Sequence, residues 1–156
     1  MEHTHVETRD ATTVEEMWQT VVPGARIARA DGIQPAFVFH GVAEPGFGLC
    51  DYTVGSTMVI ESDPGDQMVV GRIAGPRIRA TYRRERIDTT VPFVVMDRPI
   101  EIAFTGRIAG TAVSFAREDV DEAARRLSGD DTLRVRPLGY APMSEQRLRY
   151  WTRTWE

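Results

Sequence analysis

The sequence predicts a mainly β domain that is flanked by helices. Between residues 37 and 116, short runs rich in Val, Ile, Thr, Phe and Tyr recur at near-regular spacing, separated by turn dipeptides. Before and after this region, the apolar residues are spaced as they are along one face of a helix. About eight or nine short strands in one chain are typical of a sandwich or a barrel.

The composition fits a single folded domain spanning residues 1–156. With 42% apolar residues the chain can bury a core, and its net charge of −4 does not favour binding to nucleic acid or to an anionic membrane. Its one cysteine excludes an internal disulfide, and no apolar run is long enough to cross a membrane. No signal segment is recognisable, so we expect a cytoplasmic protein.

The N-terminal region predicts one short helix after a loose start. Residues 1–10 are polar, and we expect them to be loose. A helix is predicted over 12–22, with Thr12 or Thr13 as its N-cap. Its residues Val14, Trp18 and Val21 lie at helical spacing and predict a face that docks on the domain.

The β region, 37–116, divides into strands at its turn residues. The predicted strands are FVFHGVA, FGLCDYTVGSTMVIE, QMVVGRIAG, RIRATYR, RIDTT, PFVVMD, PIEIAF and GTAVSFA. Alternation in RIRATYR predicts that Ile78, Ala80 and Tyr82 point inward and that the arginines between them face solvent.

The C-terminal flank, 117–156, predicts two helices. REDVDEAARRLSG carries acids early, arginines late and a glycine at its end, and TLRVRPL after it is a possible extra strand. Ser144 is the expected N-cap of the closing helix. In that helix Leu148, Trp151 and Trp155 share one face, which predicts docking on the domain or dimerisation.

Few residues suggest catalysis or metal binding. His40 is the one histidine in the predicted strands, and with Cys50 it does not complete a metal site. His3 and His5 lie in the segment expected to be loose, so no metal and no cofactor are predicted. No nucleophile motif or phosphate loop is present, and alternation favours a solvent-facing Asp51 over a buried general base.

A ligand pocket remains possible, because a small barrel can enclose one ligand. Four side chains with polar ends on apolar strands are the candidate ligand-binding residues: Arg72, Tyr82, Tyr52 and His40. Arg72 could anchor an anion or a hydroxyl group. The alternative, which we favour, is that Val69 and Ile73 are the residues of this strand that face the core, and that Arg72 points outward.

The segment from about Phe37 to Trp155 resembles the N-terminal effector domain of AraC-type transcription regulators. The resemblance lies in FGLCDYTVG, in the hairpins of DQMVVGRIAGPRIRATYRRERIDTT, in the proline turn of VPFVVMDRPIEIAF, and in GTAVSFAREDVDEAARRLSG, where a last strand runs into a helix. The early TTVEEMWQTVV helix also fits.

The resemblance implies a cupin-like double-stranded β-helix, or jelly-roll barrel, with a short N-terminal helix and two C-terminal helices. It implies a bacterial, non-enzymatic domain that senses a small-molecule effector, forms a homodimer, or does both. DNA would be bound only through a helix-turn-helix half that is absent from this sequence. Two alternatives stay open: a protein-interaction scaffold without a ligand, and a metal-free enzyme using Asp51 with Arg72 or Tyr82.

Overall fold

The computed structural model describes residues 2–34, 36–141 and 144–154. Nine strands and three helices lie within these residues. The strands are β1 (Glu2–Thr8), β2 (Gly24–Ala30), β3 (Phe37–Glu44), β4 (Phe47–Asp63), β5 (Gln67–Ala74), β6 (Ile78–Tyr82), β7 (Glu85–Ile87), β8 (Phe93–Val95) and β9 (Ile100–Ala116). The helices are α1 (Ala11–Gln19), α2 (Arg117–Ser128) and α3 (Glu145–Thr154).

Two long strands form the centre of the fold. β4 and β9 are each 17 residues long and pair in antiparallel register from Phe47↔Phe115 to Ser62↔Ile100. Every described strand pairing is antiparallel. The prediction of a mainly β domain is therefore confirmed.

The other strands divide into two half-sheets along this central pair. The first half of β4 pairs with β3 and its second half with β2, while β9 pairs first with β6 and then with β5. β1 extends one half-sheet beyond β3, and β8 extends it beyond β5. Strand partners therefore change near the middle of β4 and β9.

One continuous core lies between the half-sheets and under α1. Side chains exposed by less than 2% include Phe37, Phe39, Met58, Met96, Ile108, Val14 and Val21. Val14, Trp18 and Val21 are all buried, as predicted for a docking face, but α1 ends at Gln19 and Val21 lies in the turn after the helix. Ala80 and Tyr82 are buried between exposed arginines, as the alternation in β6 predicted.

The N-terminus differs from the sequence-based expectation. Residues 2–8 are not loose but form β1, which pairs with β3 over seven residues. The alternation of Val6 with His5 and Glu7 fits a strand whose one face packs against the core. α1 also begins earlier than predicted, because Asp10 and not a threonine is its N-cap.

The C-terminal flank also departs from the sequence pattern. PIEIAF and GTAVSFA form the single strand β9, and TLRVRPL forms no strand. In α2 the buried residue is Asp121, whereas the apolar Leu127 is 90% exposed. α2 contacts the segment that follows it through a hydrogen bond, in which Oδ1 of Asp121 accepts the backbone N–H of Val135. No helix among the described residues is long and apolar enough to span a bilayer.

Candidate functional site

The barrel interior is largely filled by aromatic side chains of the protein itself. Trp18 packs edge-on against Phe37 and Tyr52 with ring centroids 5.5 Å away, and Phe37 stacks on Phe39. The cavity that remains beside Trp18 and Tyr52 measures about 70 Å³. A typical small-molecule pocket is roughly 300–1,000 Å³. The interior therefore has room for a few water-sized groups and not for a metabolite.

The polar groups at this cavity are unreactive in their environment. Burial raises the pKa of the Cys50 thiol to about 12. Burial likewise raises the pKa of the Tyr52 hydroxyl far above its ordinary value. The indole N–H of Trp18 is buried without a hydrogen-bond partner among the described residues. Because a protonated thiol is a poor nucleophile, Cys50 is not activated for nucleophilic attack.

Tyr82 belongs to the core and not to a ligand site. Its hydroxyl donates to the carbonyl oxygen of Met96 and accepts the backbone N–H of Met96 at 3.1 Å. The side chain is 2% exposed. Both bonding roles of the hydroxyl are thus used within the fold, and Tyr82 does not join the other candidate residues.

A row of polar side chains crosses the outer face of one half-sheet, and we call it the polar row. It consists of His5, His40, Asp51, Thr111 and Arg72, each directly opposite the next on neighbouring strands. Directly paired residues project from the same face of a sheet, and here that face is solvent-exposed for most members. The polar row therefore follows from the pairing register of five strands and from the alternation of side chains between the two faces of each strand.

Local hydrogen bonds hold the members of the polar row. The hydroxyl of Thr111 donates to Oδ1 of Asp51 at 2.5 Å. Nε of Arg72 donates to the backbone carbonyl of Thr90 at 3.0 Å. Nδ1 of His5 lies 3.1 Å from Nδ1 of His40, and the two rings stack with centroids 4.4 Å apart.

Two shallow grooves lie along the polar row. The first, which we call the Arg72 groove, has a volume of about 350 Å³ and is lined by Arg72, Thr111, Asp51 and His40. Its floor continues over a second row of smaller side chains: Val38, Thr53, Ala109 and Ala74. Tyr52 reaches this groove from beneath the sheet and also lines the interior cavity.

The second groove, which we call the histidine groove, has a volume of about 300 Å³. His3, His5, His40 and Asp51 line it. The three histidines in this groove are all those of the sequence. Two of them lie in the N-terminal segment that was expected to be loose, so the cluster was not predicted from the sequence. The alternation in EHTHVET, which puts His3, His5 and Glu7 on one face of a strand, is the signal that could have revealed it.

The structure thus brings together three of the four candidate ligand-binding residues. Arg72, Tyr52 and His40 line one groove, but the groove lies on the outer face of the sheet and not inside the barrel. Arg72 points outward while Val69 and Ile73 are buried, as the favoured interpretation predicted. Asp51 is also exposed, so it lies on the opposite face from Tyr82 and the two do not converge as a catalytic pair.

The closing helix begins where the sequence predicted. Ser144 caps α3, since its Oγ accepts the backbone N–H of Arg147 at 3.3 Å and its carbonyl accepts that of Leu148 at 2.9 Å. Leu148 is partly buried. The side chain of Trp151 and the whole of Trp155 lie outside the described residues, so the predicted docking or dimerisation face stays a prediction.

Comparison with known proteins identifies the fold. No family profile and no curated protein matches the sequence. Among solved structures, the AraC-like transcriptional activator CuxR superposes with a TM-score of 0.59 at 14% identity. The match covers 96% of this chain and 58% of the CuxR chain, so this chain spans a little over half of that protein's length. The fold implied by the sequence resemblance is therefore confirmed.

A second solved structure is more distant. The cupin domain of Cnp3 from Schizosaccharomyces pombe superposes with a TM-score of 0.44 at 12% identity, over 83% of this chain and 95% of that domain.

Proposed function

We propose that this chain is the effector-sensing domain of an AraC-type transcription regulator. The observation that supports the proposal is the shared fold with an AraC-like activator over 96% of this chain. In this role the domain is non-catalytic and cytoplasmic. It controls DNA binding by a separate helix-turn-helix half, either by binding an effector, by pairing two chains, or by both.

The Arg72 groove is the proposed effector site. Its volume of about 350 Å³ lies within the range of small-molecule pockets, whereas the interior cavity measures about 70 Å³. Arg72 offers a guanidinium with several N–H donors, of which the structure directs Nε to Thr90. Asp51 offers carboxylate acceptors in the same groove, with Thr111 between it and Arg72. A small hydroxylated or amino-bearing acid would satisfy both groups.

A screen of small metabolites by thermal unfolding tests this site. A molecule that binds only the folded domain raises the melting temperature by an amount that grows with the ratio of its free concentration to its Kd. We expect hydroxylated acids to raise it in the unmodified chain and to lose this effect in Arg72→Ala. Arg79→Ala is the matched control, because Arg79 is also an exposed arginine but lies on a strand of the other half-sheet. An effector shift that survives Arg72→Ala contradicts the proposed site.

Dimerisation through α3 is the second part of the proposal. It depends on the sequence spacing of Leu148, Trp151 and Trp155. Substitution of both tryptophans by glutamate should shift the sedimentation profile toward monomer, because buried carboxylates would oppose packing of the stripe against a partner chain. An unchanged profile would reject pairing through this helix.

A protein-interaction scaffold is the second candidate function. The filled barrel interior favours it, because a scaffold needs no cavity. The scaffold predicts that no metabolite in the screen changes the melting temperature, while association of the chain still responds to the tryptophan substitutions. The sensor predicts at least one ligand whose effect depends on Arg72.

A further inference from the structure

We propose that His5 and His40 form a binding site for a divalent transition-metal ion on the outer face of the barrel. The site goes beyond the proposed sensing function and does not depend on it. It also revises the expectation of no metal, which rested on a loose N-terminus.

The separation of the two imidazole nitrogens carries the proposal. Nδ1 of His5 and Nδ1 of His40 are 3.1 Å apart. With metal–nitrogen bonds of about 2.0–2.1 Å, two nitrogens on one tetrahedral or octahedral ion lie roughly 2.9–3.4 Å apart. The pair is therefore spaced as a chelate. Without a metal the same spacing allows a hydrogen bond in which one nitrogen donates and the other accepts, according to the tautomers of the two rings.

The backbone positions both ligands with little freedom. His5 and His40 face each other in the antiparallel register of β1 and β3, and the residue pairs on both sides of them fix that register. Both side chains are exposed, so an ion reaches them from solvent. The rings are stacked with an interplanar angle of 29°, so both must turn about their side-chain bonds before their in-plane lone pairs point at one ion.

Neighbouring groups can complete the coordination. Asp51 is directly opposite His40 on β4, and His3 projects from the same face of β1 two residues before His5. Among the residues that the structure describes, no three such side chains are already arranged around one point. The pair is therefore the anchor, and water, His3 or Asp51 would fill the remaining positions.

The donor set selects the class of metal. Neutral imidazole suits Zn²⁺, Cu²⁺ and Ni²⁺, whereas Mg²⁺ and Ca²⁺ require oxygen donors. By the usual order of stability, Cu²⁺ should bind more tightly than Ni²⁺ or Zn²⁺. Binding would also link β1 to β3, and so stabilise an edge strand that pairs with β3 alone among the described strands.

The experiment uses tag-free protein in a His3→Ala background. A histidine at the third position can chelate Cu²⁺ together with a free amino terminus, and this substitution removes that competing site. Titration calorimetry with Zn²⁺ and electron paramagnetic resonance with Cu²⁺ are then compared in this parent, in His3→Ala/His5→Ala and in His3→Ala/His40→Ala. His5→Gln and His40→Gln variants, checked by thermal unfolding, keep the comparison valid if an alanine variant unfolds.

We expect the parent to bind one Zn²⁺ per chain and to show Cu²⁺ coupled to two imidazole nitrogens. Each second substitution should weaken Zn²⁺ binding at least about tenfold, the lower bound for disturbing even an outer-shell partner of a metal. Mg²⁺ should produce no heat of binding. If the parent binds no Zn²⁺ and no Cu²⁺, or if either double variant binds as tightly as the parent, the proposal is wrong.

Discussion

Tyr82 and Met96 are joined by two hydrogen bonds in the buried core: the tyrosine hydroxyl donates to the Met96 carbonyl and accepts its N–H at 3.1 Å. This contact ties β6 to the residue directly after β8. These two strands are not paired with each other, since β6 pairs with β7 and β9 and β8 pairs with β5. A single phenol thus connects the two half-sheets.

We expect Tyr82→Phe to lower the free energy of unfolding by about 1–3 kcal/mol, because it leaves a buried N–H and a buried carbonyl without their partner. Chemical denaturation measures the change. Tyr52→Phe is the matched control, since Tyr52 is also buried but its hydroxyl makes no hydrogen bond within the described part of the chain. Equal losses in the two variants would show that the Met96 contact contributes nothing specific.

Gly110 and Tyr52 are in direct contact across β9 and β4. A methyl group at Gly110 would overlap the ring and hydroxyl of Tyr52, which Trp18 and Phe37 hold in place. Gly110→Ala should therefore cost about 1–3 kcal/mol of stability, as overpacking of a filled core does. Gly139→Ala, at a position with open space, should be nearly neutral in the same denaturation measurement. A neutral Gly110→Ala would contradict the close packing.

Cys50 should make stability fall at alkaline pH. Its pKa is raised from 9.0 to about 12 by burial, so the folded state keeps the proton that the unfolded state releases. The stabilising contribution is complete below pH 9 and is lost as pH rises through the window up to about 12. The buried Tyr52 adds a similar loss that starts one unit higher, from its ordinary pKa of 10.0.

Cys50→Ala separates these two contributions. The free energy of unfolding is measured by denaturation at each pH and compared with its value at neutral pH. In the unmodified chain this free energy should begin to fall near pH 9. In Cys50→Ala it should begin to fall near pH 10, where the tyrosine starts to ionise. Coincident pH profiles for the two proteins would rule out this role for the thiol.

Asp121 and Arg117 hold the segment after α2. Oδ1 of Asp121 accepts the backbone N–H of Val135 at 2.8 Å, and Nη2 of Arg117 donates to the Val135 carbonyl at 2.6 Å. Asp121→Ala should lower stability by about 1–2 kcal/mol and speed amide exchange at Val135. Glu122→Ala, which removes an exposed ion pair with Arg126, is the control and should change neither. Unchanged exchange at Val135 in Asp121→Ala would exclude this role.

The sequence by itself determined the fold class, the inward and outward faces of strands, the presence of the first helix and the start of the last one. These features depend on local periodicity and capping: Val14 and Trp18 share a face at helical spacing, Ile100, Ile102 and Phe104 alternate, and Ser144 can cap the closing helix. Arg72 was correctly expected to point outward by the same alternation.

Only the tertiary structure decided which outward side chains meet. His5, His40, Asp51, Thr111 and Arg72 are distant in sequence, and the register of five strands places them in one row. A shift of one residue in any pairing would turn that strand's member to the other face. Strand register depends on the packing of the whole core. β1 pairs with β3 in the folded structure, and no local sequence pattern in residues 2–8 specifies β3 as the partner.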